Sequence, residues 1–163
     1  MHECVQELNR RLGPIARIVV EPVLRIPADL IGSESSVTVD AYGRTVGRFV
    51  SLDISRCAFE LCFVDRETRF SLYLGRGAEF CENEPLLSAL DAAELAGDVD
   101  RFLRSTVKCD RSTDAGGRVV REAYSPTLMV VDRLQLTFVY LGSPMSKSRD
   151  VQTQTVVYPP WFG

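Results

Sequence analysis

The spacing of apolar residues predicts that the chain begins with a helix. The first apolar side chains recur at three- and four-residue intervals on one helical face: Cys4, Val5, Leu8 and Leu12. Gly13-Pro14 then follows as a stop signal, because glycine favours the C-terminal end of a helix and proline cannot continue one. We therefore expect one amphipathic helix over residues 2–12, with His2 as a solvated residue at its start.

From Ala16 onward, β-branched and aromatic residues become frequent, which is typical of strands. Pro22 and Pro27 confine the first predicted strand to a sheet edge, because proline cannot donate to a hydrogen-bond ladder. Gly43-Arg44 and the polar run 65–68 are predicted hairpin turns. The predicted strands span residues 17–26, 36–42, 46–54, 59–64, 69–74, 118–124, 127–131, 134–141 and 151–158, with polar loops at 109–117 and 142–150.

Residues 77–100 contain seven carboxylates and no Lys or Arg. Asn83 or Glu84 can cap a helix with Pro85 in its first turn, and Gly97 can end it. Asp98 can cap a second helix. The apolar residues of this segment are expected on the inward faces of the two helices: Leu86, Leu87, Leu90 and Ala93, then Val99, Phe102 and Leu103.

This order of elements predicts a single α+β domain over residues 1–163. We expect a curved, mainly antiparallel sheet packed against the N-terminal helix and a central pair of helices. Strands and helices do not alternate along the chain, and no glycine-rich phosphate-binding motif occurs. Both observations exclude a dinucleotide-binding or P-loop fold.

Composition narrows the classes of protein that the chain resembles. No apolar run reaches the roughly 20 residues that a membrane-spanning helix needs, and the first 13 residues are too charged for a signal peptide. We therefore expect a cytoplasmic protein without membrane contact. The five cysteines are odd in number and form no Cys-x-x-Cys pair, so we interpret them as reduced, buried thiols.

The net charge is −3, which disfavours direct binding of nucleic acid. The charge is also unevenly distributed. The seven acids of residues 77–100 leave 15 acids against 19 bases in the rest of the chain. The sequence therefore predicts a molecule with one acidic region and a weakly basic remainder.

The sequence contains few residues suited to catalysis, because its only histidine is His2, at the chain end. Histidine-dependent general base, nucleophilic and metal sites need an imidazole on a rigid element. We expect no metal and no cofactor. Carboxylate catalysis remains open, and its candidates on predicted strands and turns are Asp40, Asp53, Glu60, Glu122 and Asp132.

The acidic region has two interpretations. Acids are favoured near helix N-termini and on solvated helix faces, so part of the cluster needs no function. The absence of any base across two helices is harder to explain this way, since soluble faces usually mix both charges. We therefore predict a surface for a basic partner, formed by Glu79, Glu82, Glu84, Asp91, Glu94 and Asp98.

The C-terminal sequence Tyr-Pro-Pro-Trp-Phe is the second unusual feature. Two prolines prevent strand pairing, and exposed aromatic side chains at a chain end are unfavourable. The tail is expected to fold back onto the core. Trp161 is alternatively an anchor for a partner, because tryptophan is enriched in interface hot spots.

These observations leave two classes of function. The first is a non-catalytic interaction protein whose acidic surface binds a basic protein partner. Immunity proteins that neutralise a cognate toxin share this size, acidity and lack of catalytic groups, and an assembly chaperone belongs to the same class. The second is a small-molecule-binding domain or carboxylate-based enzyme with a site in the concave face of the sheet, lined by Tyr42, Tyr73, Tyr124 and Tyr140.

Overall fold

The structure, a computed structural model, describes residues 1–75, 77–128 and 151–162, together with the backbone of residues 138–140. It confirms the α+β class with antiparallel strands. The helices are α1 (Glu3–Arg11), α2 (Pro14–Val20) and α3 (Ala89–Arg104), with short 3-10 turns at Val23–Arg25 and Ala28–Leu30. No helix in the described residues is long and apolar enough to cross a membrane.

The strands form two sheets, where the sequence predicted one. The first is β1 (Ser36–Val39), β2 (Thr45–Phe49), β3 (Phe59–Val64), β4 (Arg69–Leu74) and β5 (Ala78–Pro85), in that spatial order. The second contains β6 (Val107–Thr113), β7 (Val119–Pro126), β8 (Phe138–Tyr140) and β9 (Gln152–Tyr158), in the order β8-β7-β6-β9. Helix α3 lies between the two sheets in the chain, so no hairpin joins them.

The prediction for the N-terminal helix is confirmed. His2 caps α1, since its Nδ1 accepts a hydrogen bond from the Cys4 backbone N–H at 3.2 Å. Leu8 is fully buried and packs against Gly47 of β2. A Cβ atom at Gly47 would lie 2.9 Å from a methyl group of Leu8, so a glycine allows the helix to approach the sheet this closely.

The strand predicted over residues 17–26 is wrong. Pro14 begins α2, which suits the proline because the first helical N–H has no partner within the helix. Ala16, Val19 and Val20 are the buried residues of α2, at the spacing of one helical face. The β-branched run indicated a strand, but packing against α3 decides in favour of a helix here.

The predicted pair of central helices is also wrong. The chain stays extended through Pro85 as β5, and a single helix begins after Ser88, whose hydroxyl accepts from the Asp91 N–H at 3.1 Å. Gly97 lies within α3 and does not end it. Asp98 does not cap a helix either; it is 4 % exposed and pairs with Arg101 one turn later.

Most other strand predictions are confirmed, and two strands were missed. The hairpin of β3 and β4 has the predicted bounds, and β1, β2, β7 and β9 overlap the predicted strands. The predicted loop 109–117 is mostly strand β6, which the sequence did not indicate. The strand predicted at 127–131 is wrong for residues 127–128, which form a turn after β7. Of the strand predicted at 134–141 only β8 is described, and the predictions for residues 129–131 and 142–150 lie outside the described residues.

One cluster of buried apolar side chains includes residues from the three helices and both sheets. Aromatic rings form its centre: Phe59 stacks on Phe49 at 5.1 Å and meets Phe102 of α3 and Trp161 edge-on, each at 5.3 Å. Trp161 is 2 % exposed, and its indole N–H donates to the Cys57 carbonyl at 2.9 Å. The prediction that the tail folds back is confirmed.

We predict that Trp161→Ala lowers the free energy of unfolding by about 3–5 kcal/mol, because it removes a large core ring and leaves a cavity. Chemical denaturation followed by circular dichroism measures this loss. Phe162→Ala is the control: Phe162 is only half-buried, so the loss is expected to be smaller. The single tryptophan also reports directly, and water-like emission from the dilute native protein would contradict a buried indole.

Candidate partner-binding surface

The acidic segment is divided between a strand and a helix. Glu79, Glu82 and Glu84 lie on β5, at the end of the first sheet, and the other acids lie on α3. Among the described residues, β5 pairs only with β4. The structure therefore brings the predicted acids to a sheet edge followed by a helix, where the sequence predicted two helix faces.

Strand β5 is an irregular edge. Its register against β4 shifts twice, because Tyr73 faces Glu79 while the next residue, Leu72, faces Cys81. Asn83 has a φ of 48°, in the left-handed region, and its N–H donates to the Ser71 hydroxyl at 2.9 Å. Such bulges twist an edge and interrupt its row of hydrogen-bonding groups.

The first bulge brings two carboxyl groups together. Because Phe80 is an extra residue in β5, Glu79 and Glu82 come close enough for a hydrogen bond between their side chains. Burial raises the pKa of the Glu79 carboxyl above its ordinary value, and the hydrogen bond and negative charge of Glu82 raise it further. The hydrogen bond needs a proton on one of the two carboxyl groups, so the pair favours the protonated form of Glu79 and disfavours the state in which both groups are charged.

The acids of α3 have structural roles, with one exception. Asp91 accepts from the Leu87 N–H at 3.0 Å and completes the cap of the helix. Asp98 pairs with Arg101, and Asp100 pairs with Arg104 at 3.0 Å and with Arg25 at 2.9 Å. The positive charges that neutralise these two aspartates thus come from the last turn of α3 and from Arg25 in the N-terminal region.

Three acids remain exposed without such a partner. Glu82, Glu84 and Glu94 have no Lys or Arg within ion-pair distance among the described residues. They lie before and after the start of α3. The predicted surface therefore keeps its net negative charge, although it is smaller than the sequence suggested.

Two large apolar side chains lie beside these acids. Leu87 and Leu90 are 70 % and 71 % exposed, although the sequence predicted both on an inward stripe. The prediction failed because α3 begins at Ala89, several residues later than expected, which changes the face that each residue occupies. Leu90 and Glu94 are four residues apart, so they share one exposed helix face.

A surface hollow of about 260 Å³ adjoins Leu87. Leu86 and Leu87 line it together with the start of α2 and the β3–β4 turn. The turn is fixed there by Glu67, whose carboxylate accepts from the Gly13 N–H at 3.1 Å. Ile15 of α2 is also exposed and lines the same hollow, so the apolar area extends beyond the two leucines.

Trp161, the alternative anchor for a partner, is buried and is not exposed on the surface. Its ring is in the core and its N–H groups are bonded to Leu103 and Cys57, so it reaches a partner only if the tail leaves the core. A larger hollow of about 420 Å³ is lined by residues of α1 and β1: Glu3, Cys4, Gln6, Glu7, Arg10 and Val37.

Of the carboxylates that the sequence offered as catalytic candidates, Glu122 is fully buried in the second sheet, which the sequence did not predict. Glu122 is 0 % exposed; it accepts from the Tyr124 hydroxyl and from Arg111 Nε, the latter at 2.9 Å. Arg111 also donates to the Tyr158 hydroxyl at 3.4 Å. The sequence contained a signal for this burial, because Glu122 and Tyr124 are two residues apart and therefore lie on one face of a strand.

The thiols near this carboxylate are not activated. Burial raises the pKa of Cys57 to about 12 and raises that of Cys109, so both remain protonated at neutral pH. Burial and the hydrogen bond to Glu122 raise the pKa of Tyr124 as well. Glu122, Tyr124 and Arg111 therefore form a satisfied polar network. Burial raises the pKa of Tyr124 and of the two thiols beside it.

The tyrosines expected around a ligand do not converge. Tyr42 is exposed in the β1–β2 turn, Tyr73 shares the outer face of the first sheet with Arg48, Glu60 and Glu79, and Tyr124 is buried in the second sheet. The side chain of Tyr140 lies outside the described residues. Within the described parts of the chain, no three His, Cys, Asp or Glu side chains are placed to hold a metal ion.

Comparisons with protein-family models, with characterised proteins and with solved structures gave no match to this chain.

We predict that Glu82→Gln lowers the pKa of Glu79 toward its ordinary value, because the substitution removes the neighbouring charge. NMR titration of the glutamate side-chain carboxyl carbons measures it, and Glu84→Gln is the matched control. In the wild type, the raised pKa of Glu79 means that the native state binds more protons than the unfolded chain. The native state is therefore stabilised relative to the unfolded chain as pH falls from the native-state pKa of Glu79 to its unfolded-state pKa, and this contribution is lost as pH rises again. An unchanged Glu79 pKa in Glu82→Gln would contradict the proximity of the two carboxyl groups.

Proposed function

We propose that this chain is a non-catalytic interaction protein that binds a basic protein partner. The binding region is the β5–α3 surface, defined by Glu82, Glu84, Leu87, Leu90 and Glu94. The observation that carries the proposal is the combination of three exposed acids without counter-charges and two leucines about 70 % exposed, all within 13 consecutive residues. The leucines are an observation independent of the charge.

The two kinds of residue have different tasks in such a surface. Unneutralised acids around the rim raise the rate of encounter with a basic protein and disfavour acidic competitors. Apolar side chains near the centre supply affinity, since fully burying one leucine contributes about 1.5–3 kcal/mol. Leu87 and Leu90 are the anchors in this proposal, and Glu82, Glu84 and Glu94 form the rim.

The shape of the edge favours recognition through side chains. A partner strand needs a regular row of unpaired N–H and C=O groups, and the two register shifts in β5 interrupt that row. Asn83 also uses its N–H internally, on Ser71. The partner therefore contacts carboxylates and leucines and does not extend the first sheet.

A toxin-neutralising immunity protein is the specific form of this function that we favour. A basic toxin whose cationic site handles nucleic acid would be complementary to the acidic rim, and covering that site requires no chemistry from the inhibitor. The support is the charge of the β5–α3 surface, together with the scarcity of catalytic groups seen in the sequence. Protection of cells by co-expression against a toxin encoded by a neighbouring gene is the direct test.

We predict that the double variant Glu82→Lys, Glu84→Lys slows association with the basic partner at least about tenfold at low salt, while the wild-type rate falls steeply as salt increases. The partner is captured with the wild-type chain as bait and then studied by stopped-flow kinetics. The control, Glu21→Lys with Glu34→Lys, makes the same change in net charge at exposed acids elsewhere. Equal slowing in both double variants would show that only overall charge matters.

We predict that Leu87→Ser with Leu90→Ser weakens the complex mainly by faster dissociation, because an apolar contact is lost and the charges are kept. Leu52→Ser with Ile54→Ser is the control, since these two side chains are 67 % exposed, close to the value for the leucines. The free energy of unfolding is expected to change by less than about 0.5 kcal/mol in the leucine variant, because both side chains are exposed. Unchanged dissociation in the leucine variant would contradict the anchor role.

A further inference from the structure

The second sheet has a regular edge strand, β9, whereas the edge strand β5 of the first sheet is irregular. Strand β9 pairs with β6 through seven consecutive residue pairs, from Gln152 opposite Thr113 to Tyr158 opposite Val107, without any register shift. Among the described residues, β9 has no strand on its other side. Its outward N–H and C=O groups therefore form an unbroken row.

The side chains do not protect this edge. Proteins usually block an open edge with lysine, proline, a bulge or an inward-pointing charge. Residues 151–162 contain no charged residue, and within β9 there is no proline. Neither face of β9 has a charged side chain. One face presents the β-branched residues Thr153, Thr155 and Val157, and the other presents Gln152, Gln154 and Val156.

The C-terminal end of β9 is anchored to the core by hydrogen bonds. The chain after β9 is fixed by the Trp161 N–H, which donates to the Leu103 carbonyl at 2.8 Å, and by Arg56, which donates to the Pro160 carbonyl at 3.0 Å. A strand held in this way loses little conformational entropy when it acquires a partner. Pro159 and Pro160 limit the pairing to the strand itself.

We propose that β9 pairs antiparallel with β9 of a second copy of this chain, joining two four-stranded sheets into one. A symmetric antiparallel pair suits this edge because the same uncharged residues meet across the two-fold axis without repulsion. β-Branched side chains from the two copies then face each other, which is a favourable cross-strand pairing. The irregular, acidic β5 cannot take the same role, since two copies of it would repel.

The proposal is independent of the β5–α3 surface, which contains no residue of the second sheet. Its failure and that of the proposed function are therefore separable. A dimer through β9 would carry two such surfaces, one from each copy.

The test is the oligomeric state of the full chain, measured by sedimentation velocity from about 1 µM to about 1 mM. We expect a monomer–dimer equilibrium in this range. Thr153→Lys with Val157→Lys places two positive charges from each copy at the β9–β9 interface. We expect this variant to raise the dissociation constant of the dimer at least about 100-fold. Thr38→Lys with Val39→Lys is the matched control on β1, the outer edge of the first sheet, where Val39 is 50 % exposed against 55 % for Val157. This control is expected to dimerise like the wild type.

Amide hydrogen exchange of the wild type gives a second measurement that needs no variant. Protection of residues 152–158 should increase with protein concentration, while protection of residues 36–39 should not. A monomer throughout the concentration range would overturn the proposal, and so would a dimer that the β9 lysines leave intact. Circular dichroism of each variant separates loss of the dimer from loss of the fold.

Discussion

The position of Trp161 is the constraint on which the rest of this fold depends. Its ring meets Phe59 of the first sheet, its side-chain N–H bonds to the Cys57 carbonyl, and its backbone N–H bonds to Leu103 of α3. One residue near the C-terminus thus connects elements that lie about 60 and 100 residues earlier in the chain. Because β9 immediately precedes it, the same contacts determine where the edge of the second sheet lies.

The contact between the sheets depends on a second close fit. Gly75, which follows β4, has a φ of 59°, and a Cβ atom there would lie 2.0 Å from the Tyr124 hydroxyl oxygen. Only glycine combines this backbone conformation with space for the tyrosine. Tyr124 in turn donates to the buried Glu122, which pairs with Arg111. This ion pair, in which Glu122 is fully buried and Arg111 is partly exposed, contributes little net stability, but its geometry is demanding, so we expect it to restrict how β6 and β7 pack against the first sheet.

The sequence was informative where local pattern and tertiary packing agree. The β3–β4 hairpin has alternating large apolar residues and a polar turn, and its observed bounds are those predicted. The prediction failed where packing overrides propensity, as in α2, whose β-branched residues are buried as one helical face. It also failed in β5, where acidic residues and Pro85 indicated a helix start, although Pro85 is acceptable at the end of an edge strand.

The candidate surface shows why residue type is easier to predict than residue role. A cluster of seven acids is visible in the sequence, but which of them have partners depends on distant residues such as Arg25, which bonds to Asp100 across 75 positions. The exposure of Leu87 and Leu90 likewise depends on where α3 begins, and the Ser88 cap determines that.

The edge strands β5 and β9 differ in a way that suits each to a separate one of the two interactions that we propose. An acidic, bulged edge cannot add a strand, so its charge remains available for side-chain recognition. A regular, uncharged edge offers little to a charged partner, but its backbone groups accept another strand. If both edges were regular and uncharged, successive copies could join through either one and the assembly would not close. The charge and the bulges on β5 therefore leave β9 as the better edge for strand pairing, and antiparallel pairing of β9 with itself closes at two copies.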